Sequence, residues 1–190
     1  MKKNINMKKS ILIIFAFTLI VISCLGDKNA IRNTPNSLCD TLEILSLKHW
    51  IGKPLKDIVS TAQFVVKDTL MEGDDDVTWK AKAVYCNNNL IYLAESNWQN
   101  KDKIYRITIV DKSVKEGNIF IGQEFKYFAK AISTTIPNSP DGYLFLKLEK
   151  DTSVYLQLDI SSIKDSVLFY GISNVNQIPQ NLKVESIFIQ

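Results

Sequence analysis

A twelve-residue pattern occurs twice in this chain. The segment IGKPLKDIVSTA at positions 51–62 aligns without gaps with IGQEFKYFAKAI at positions 121–132. The isoleucine, glycine and lysine at the first, second and sixth places are identical, and the fifth place is apolar in both segments. An internal repeat predicts that two similar supersecondary units build the fold, although a chance coincidence of two helix starts explains so short a match equally simply.

Within each copy of the pattern, apolar residues lie at i, i+3, i+4 and i+7, which is the spacing of one helix face. Pro54 suits a first helical turn because its missing N–H needs no partner there. Glu124 would favour the positive end of the second helix dipole. The sequence therefore predicts two helices with these apolar positions: Leu55, Ile58, Val59 and Ala62 in the first, and Phe125, Phe128, Ala129 and Ile132 in the second.

Downstream of each predicted helix the apolar period changes to two. DVTWKAKAVYC at 76–86 alternates, and GYLFLKLEK at 142–150 with SVYLQLDI at 153–160 reads as a hairpin. The predicted fold class is α+β, with tandem helix-plus-antiparallel-strand repeats at about 46–111 and 117–190 forming a sheet packed on two helices.

The first 23 residues predict a signal peptide. They carry four lysines and no acidic residue, and they include an apolar run from Ile11 to Ile22. That run is shorter than the roughly 20 residues that span a bilayer as a helix. A basic start followed by a short apolar segment is typical of secretory signals. The alternatives are an uncleaved N-terminal anchor and an ordinary secreted protein.

The tetrapeptide Val21-Ile22-Ser23-Cys24 resembles the lipobox of bacterial lipoproteins. The resemblance covers the first 24 residues and implies cleavage after Ser23 and lipidation of Cys24 with a diacylglycerol and an amine-linked acyl chain. Two or more acyl chains anchor a protein stably. Leu25 stands where enteric bacteria would place an inner-membrane retention aspartate. The expected localisation is therefore the cell envelope, lipid-anchored at the outer membrane on either its periplasmic or its surface face.

The mature chain divides into a lipidated spacer at 24–37 and a single domain at 38–190. Without the four lysines of the signal, 19 of the 23 basic residues remain against 20 acidic ones. This balance gives no reason to expect a nucleic-acid partner. Cys39 and Cys86 are left in an oxidising compartment, where either a disulfide or two buried free thiols is consistent with the sequence.

Residues with catalytic chemistry are few. His49 is the single histidine, and no G-x-S-x-G elbow, phosphate loop or zinc-ligand set occurs, so we expect no cofactor and no enzyme activity. Asp74 and Asp76 are weak candidates for an ion site, although their spacing is not that of an EF-hand and a solvated turn is the plainer interpretation. Glycan hydrolysis would require acids such as Glu95, Asp111 and Glu149 to converge.

Aromatic residues are the stronger indication of function. If the leucines of 144–158 face the core, the alternating aromatic residues face away from it. Exposed aromatic side chains among polar ones are typical of interfaces. The predicted binding surface comprises Trp79, Trp98, Tyr143 and Tyr155, unless a second layer covers them. The expected function is a non-enzymatic module that binds or inhibits a protein in the envelope; the alternative is a lipoprotein that binds or processes an envelope glycan.

The order of elements, together with the Ile-Gly-x-x-Leu/Phe-Lys start of each repeat, loosely resembles small envelope lipoproteins with β-lactamase-inhibitor-protein-like repeats. This resemblance rests on element order and one short motif. It implies a fold that mostly binds other proteins, and it assigns no functional residue.

Overall fold

A computed structural model describes residues 42–73, 76–133, 143–163, 172 and 174–190, all within one compact unit that spans Asn36–Gln190. The predicted signal peptide and the lipidated spacer lie outside the described residues. Across the described ranges, no helix combines the length and the apolar composition needed to cross a bilayer.

The architecture is a single seven-stranded antiparallel sheet. The strands are β1 (Phe64–Glu72), β2 (Thr78–Cys86), β3 (Asn89–Glu95), β4 (Arg106–Ile109), β5 (Leu144–Lys147), β6 (Val154–Leu158) and β7 (Val184–Ile189). They lie in the order β1-β2-β3-β4-β7-β6-β5. The sheet is thus two meanders joined where the last strand of each, β4 and β7, pair with one another.

The predicted fold class, with a sheet packed on two helices, is wrong. The α-helix in the described part of the chain is α1 (Ile44–Leu47), which continues as a 3₁₀ turn over Lys48–Trp50. Where the two helices were predicted, the chain forms short 3₁₀ turns instead, at Leu55–Asp57, Phe125–Tyr127 and Ala129–Ala131. The sheet therefore packs against turns and irregular chain.

The 3₁₀ turns replace helices because their backbone bonds to the segments that lead into β4 and β7. The N–H of Leu55 donates to the carbonyl of Asp102 at 2.7 Å, which draws the chain away from a helical path. Val59 is consequently 63% exposed although the helix pattern placed it on the buried face. In the second copy, Phe128 has φ −131°, outside the helical region, and ends the first 3₁₀ turn.

The two copies of the sequence pattern form the same local structure. Gly52 and Gly122 have φ of +80° and +86°, as a type II turn requires. The N–H of Gly52 donates to the carbonyl of Ile104, and that of Gly122 donates to the carbonyl of Val184, each at 2.8 Å. Ile104 lies two residues before β4 and Val184 is the first residue of β7, so the two carbonyls occupy corresponding places at the starts of these strands.

This correspondence gives the sheet an approximate two-fold relation. If Ile104 matches Val184, then Ile107 matches Ile187, and the pair Thr108–Phe188 lies at the centre of the β4–β7 ladder. The register of the β4–β7 ladder agrees with a two-fold axis through this central pair, since Ile107 pairs with Ile189 beside it. The repeat boundaries expected at 46–111 and 117–190 stay a prediction.

The core lies on one face of the sheet. Side chains that face it include Ile107, Leu146, Leu156 and Ile187, all without exposed area. Apolar residues of α1 and of the turns complete the same cluster: Ile44, Leu47, Leu55, Ile58, Phe125, Phe128, Ile132, Ile178 and Leu182. The opposite face, which we call the open face, carries side chains that are half-buried on β5 and β6.

Candidate functional site on the open face

Three strands bring four aromatic side chains together on the open face. Alternation along β5, β6 and β7 directs every second residue away from the core. Tyr155 pairs with Phe188 across the β6–β7 ladder. Phe145 lies beside them, with ring centroids 5.9 Å from Tyr143 and 5.9 Å from Phe188. We call these four residues the aromatic strip.

Cations lie over two rings of the aromatic strip. The ammonium of Lys147 is 5.1 Å from the ring centroid of Tyr155, and the guanidinium carbon of Arg106 is 5.4 Å from that of Phe188. Such contacts help to keep these two half-buried rings in defined positions. Arg106 and Gln190 join three rings of the strip around a shallow hollow of about 200 Å³.

Arg106 is positioned by the buried carboxylate of Glu95, which is 1% exposed. The two residues face each other across the β3–β4 ladder. Arg106 donates from Nη2 to Oε2 at 2.7 Å and from Nε to Oε1 at 3.2 Å, a bidentate arrangement. Trp79 donates its indole N–H to Oε2 at 3.0 Å, and Thr108 donates its hydroxyl to Oε1.

These contacts satisfy both oxygens of Glu95, so its role is to hold Arg106 and Trp79. A carboxylate fully engaged in this way has no free lone pair directed at solvent for acid–base chemistry. Glu95 and Asp111, two of the acids considered for glycan hydrolysis, do not meet. Asp111 follows the far end of β4, five residues beyond Arg106, which is roughly 17 Å along an extended chain.

Of the four residues predicted as a binding surface, the structure brings two together. Tyr143 is 49% exposed and belongs, with Tyr155, to the aromatic strip. Trp79 lies on the same face of the sheet but is half-buried and bonded to Glu95. Trp98 is 62% exposed in the loop between β3 and β4, outside the strip.

Phe188 and Arg106 are central to the open face and were missed. The alternation of VESIFIQ at 184–190 places Phe188 opposite the buried Ile187 and Ile189, so this signal was present in the sequence. Arg106 gave no such signal, because its importance depends on the pairing of β4 with both β3 and β7.

The remaining candidates show no assembled site. Asp74 lies outside the described residues, and Asp76 is exposed with φ +58°. Across the described ranges, no three His, Cys, Asp or Glu residues cluster in a way that could hold a metal ion. His49 is exposed, and its ring lies 4.7 Å from that of Trp50. Burial raises the pKa of the core-facing Tyr92 to about 12, so this phenol keeps its proton at neutral pH.

Cys86 is buried and disulfide-bonded. Its predicted partner, Cys39, lies outside the described residues, as does the predicted lipidation site Cys24. The pairing of Cys39 with Cys86 therefore stays a prediction.

No protein-family model matches this chain, and no curated protein sequence matches it significantly. Solved structures give a match. The crystal structure of the uncharacterized protein yfeY from Escherichia coli is similar over 72% of this chain and 89% of that chain. The two chains are 14% identical, and the TM-score is 0.48. Function is accordingly inferred from the side chains of the open face.

Proposed function

We propose that this chain is an envelope lipoprotein, anchored through Cys24 at the outer membrane, whose domain binds a protein partner without catalysing a reaction. The partner contacts the open face at the aromatic strip. The single observation that carries the proposal is the contiguity of Tyr143, Phe145 and Phe188 on that face, with centroid separations of 5.9 Å.

The chemistry of the strip indicates the kind of partner. Tyrosine, phenylalanine and arginine are enriched at the centres of protein interfaces, because they bury much area at little entropic cost. Lys147 lies over the ring of Tyr155 and adds positive charge, whereas the charge of Arg106 is balanced by Glu95. A complementary protein surface would thus present apolar side chains beside carboxylates.

Substitution of a residue in the aromatic strip tests this proposal, because the protein partner should then bind less well. The full-length chain would be cross-linked in its native envelope, and the captured proteins would be identified by mass spectrometry. Tyr143→Ala should reduce the amount of the stoichiometric partner that is captured by about tenfold, since interface tyrosines often contribute about 1.4 kcal/mol or more to the binding free energy. Tyr127→Ala is the matched control, because Tyr127 is similarly exposed at 57% and lies on a 3₁₀ turn away from the strip. Equal capture by both variants would contradict the proposal.

The alternative is binding of an envelope glycan, which the shallow hollow favours. Its aromatic walls could stack on a sugar ring, and Arg106 and Gln190 could donate hydrogen bonds to hydroxyl groups. The engaged state of Glu95 argues for binding rather than cleavage. Retention of glycan fragments, with no protein partner, and their loss in Tyr155→Ala would favour this alternative.

A further inference from the structure

Lys82 stands where the other half of the sheet has a core leucine. In the first meander, Ile107 pairs with Ala94, and Ala94 pairs with Lys82. In the second, the matching row runs from Ile187 through Leu156 to Leu146. Lys82 of β2 therefore corresponds to Leu146 of β5, and both point to the core-facing side.

The same replacement of leucine by lysine occurs two residues earlier in the strand, at the neighbouring position on this face. Lys80 corresponds to Leu144 by the same registers. Leu144 and Leu146 are 3% and 0% exposed, so this position in the fold can be filled by apolar side chains. Two charged residues there forgo the hydrophobic stabilisation that the second half obtains. A fold that accommodates leucine at these positions does not itself require lysine.

The charged positions open a cleft of about 440 Å³ beside β2. Pro54 and Leu55, at the start of the 3₁₀ turn Leu55–Asp57, form part of its wall, and the loop that precedes β4 forms another part. Five lysines line it: Lys56, Lys80, Lys82, Lys101 and Lys103. Two aspartates also line it, Asp68 and Asp102.

The two aspartates neutralise only part of this charge. The ammonium of Lys82 is 2.7 Å from a carboxylate oxygen of Asp68. Lys80 and Asp102 are 3.9 Å apart, and both are well exposed, so this pair contributes little. Lys56, Lys101 and Lys103 form no ion pair with a carboxylate of the described residues. Three positive charges are thus in excess at a concave surface.

We infer that this lysine cleft binds an anion that carries phosphate groups. Lysine ammonium groups are compact charges with three rotatable donors, which suits phosphate oxygens in several orientations. The cleft volume lies within the range of small-molecule sites. A flat acidic protein surface fits a concave cleft poorly. The phosphate belongs either to a lipid headgroup or to a soluble phosphorylated molecule. The inference does not depend on the open face, which lies on the other side of the sheet.

Two probes distinguish these sources. The full-length chain, purified in a non-ionic detergent, would be titrated with inorganic pyrophosphate and, separately, with dihexanoyl phosphatidylglycerol, and heat would be measured. Saturable binding of pyrophosphate alone supports a soluble ligand. Saturable binding of the short-chain lipid alone supports a headgroup. Absence of saturable binding for both probes overturns the inference.

Charge variants locate the binding. Lys56→Gln combined with Lys101→Gln should lower the affinity for the bound probe by about tenfold or more, since each substitution removes one attractive charge. The matched control, Lys112→Gln with Lys130→Gln, removes two exposed lysines away from the cleft and should change affinity by less than about twofold. Equal weakening by both pairs overturns the inference in favour of non-specific attraction. Tighter binding of a hexa-aspartate peptide than of either probe also overturns it, in favour of an acidic protein.

Lys82→Leu separates binding from folding. The variant copies Leu146 of the second half, so the unfolding midpoint in urea should be unchanged or higher. Its affinity for the probe should fall by about fivefold or more. A stable Lys82→Leu variant with full affinity overturns the assignment of Lys82 to the site.

Discussion

The indole N–H of Trp79 donates a hydrogen bond to the buried carboxylate of Glu95 across the β2–β3 ladder, at 3.0 Å. The residue directly opposite Glu95 is Ala81, whose small side chain leaves room for the indole to reach across from two positions away. With Arg106 on the other side, this contact ties three strands together on the open face.

Removal of the Glu95 carboxylate should be strongly destabilising. Glu95→Ala leaves Arg106, which is 31% exposed, without its partner and Trp79 without its acceptor. We expect a loss of about 3 kcal/mol in the free energy of unfolding, measured by urea titration. The control, Glu149→Ala, removes an exposed glutamate and should change this free energy by less than about 0.5 kcal/mol. Similar effects of the two variants would contradict the structural role of Glu95.

The paired glycines should respond alike to substitution. Gly52→Ala and Gly122→Ala would each force a side chain into the left-handed region, although no heavy atom lies within 4 Å of the added methyl group. Strain alone should therefore cost about 1–2 kcal/mol at each position. The exposed neighbour Lys53 supplies the control, and Lys53→Ala should be near neutral. If only one glycine variant is destabilised, the two turns are not equivalent.

Acid should weaken the link between α1 and the β5–β6 turn. A hydrogen bond from Lys48, at 2.7 Å, and others from Ser153 lower the pKa of Asp151 to about 2. A lowered pKa means that the unfolded chain binds the proton more readily. The contribution of Asp151 is then complete above about pH 4 and is lost as the pH falls towards 2.

Urea midpoints measured between pH 5 and pH 2 test this effect. Asp151→Asn should make the loss of stability over that range shallower, and Lys48→Met should do the same to a smaller degree because Ser153 remains. An unchanged slope in both variants would exclude the contact as a source of acid sensitivity.

Reduction of the disulfide at Cys86 should destabilise the domain. If the partner is Cys39, the loop model gives a loss on the order of 4 kcal/mol. Urea unfolding with and without a reductant measures this loss, and Cys86→Ser should unfold like the reduced chain. Detection of two free thiols in the denatured, unreduced protein would contradict a disulfide between Cys39 and Cys86.

The strands β2, β5 and β6 were predictable from the sequence, because an apolar period of two has few other physical causes. At the repeated pattern, the sequence predicted helices where the structure has 3₁₀ turns. A spacing of i and i+3, as in Leu55 and Ile58, suits a 3₁₀ turn as well as a helix, and only the bond from Leu55 to Asp102 distinguishes the two. The two segments are similar because both form a turn with a glycine at positive φ, not because both begin a helix.

The candidate site was predictable where it depends on one strand and unpredictable where it depends on strand order. Tyr143, just before β5, and Tyr155 in β6 follow from the alternation of these two segments. The Glu95–Arg106 contact requires the register of β3 on β4, and the lysine cleft requires four separate segments of the chain to meet. Neither arrangement leaves a local pattern that a reader of the sequence could detect.

Site-specific photo-cross-linking shows directly whether a protein binds at the open face. A photoreactive phenylalanine analogue would replace Tyr143 in one variant and Tyr127 in another, and each full-length chain would be irradiated in its native envelope. We expect one dominant protein adduct from position 143 and none, or a scattered set, from position 127. The same adduct from both positions, or from position 127 alone, would contradict binding through the open face.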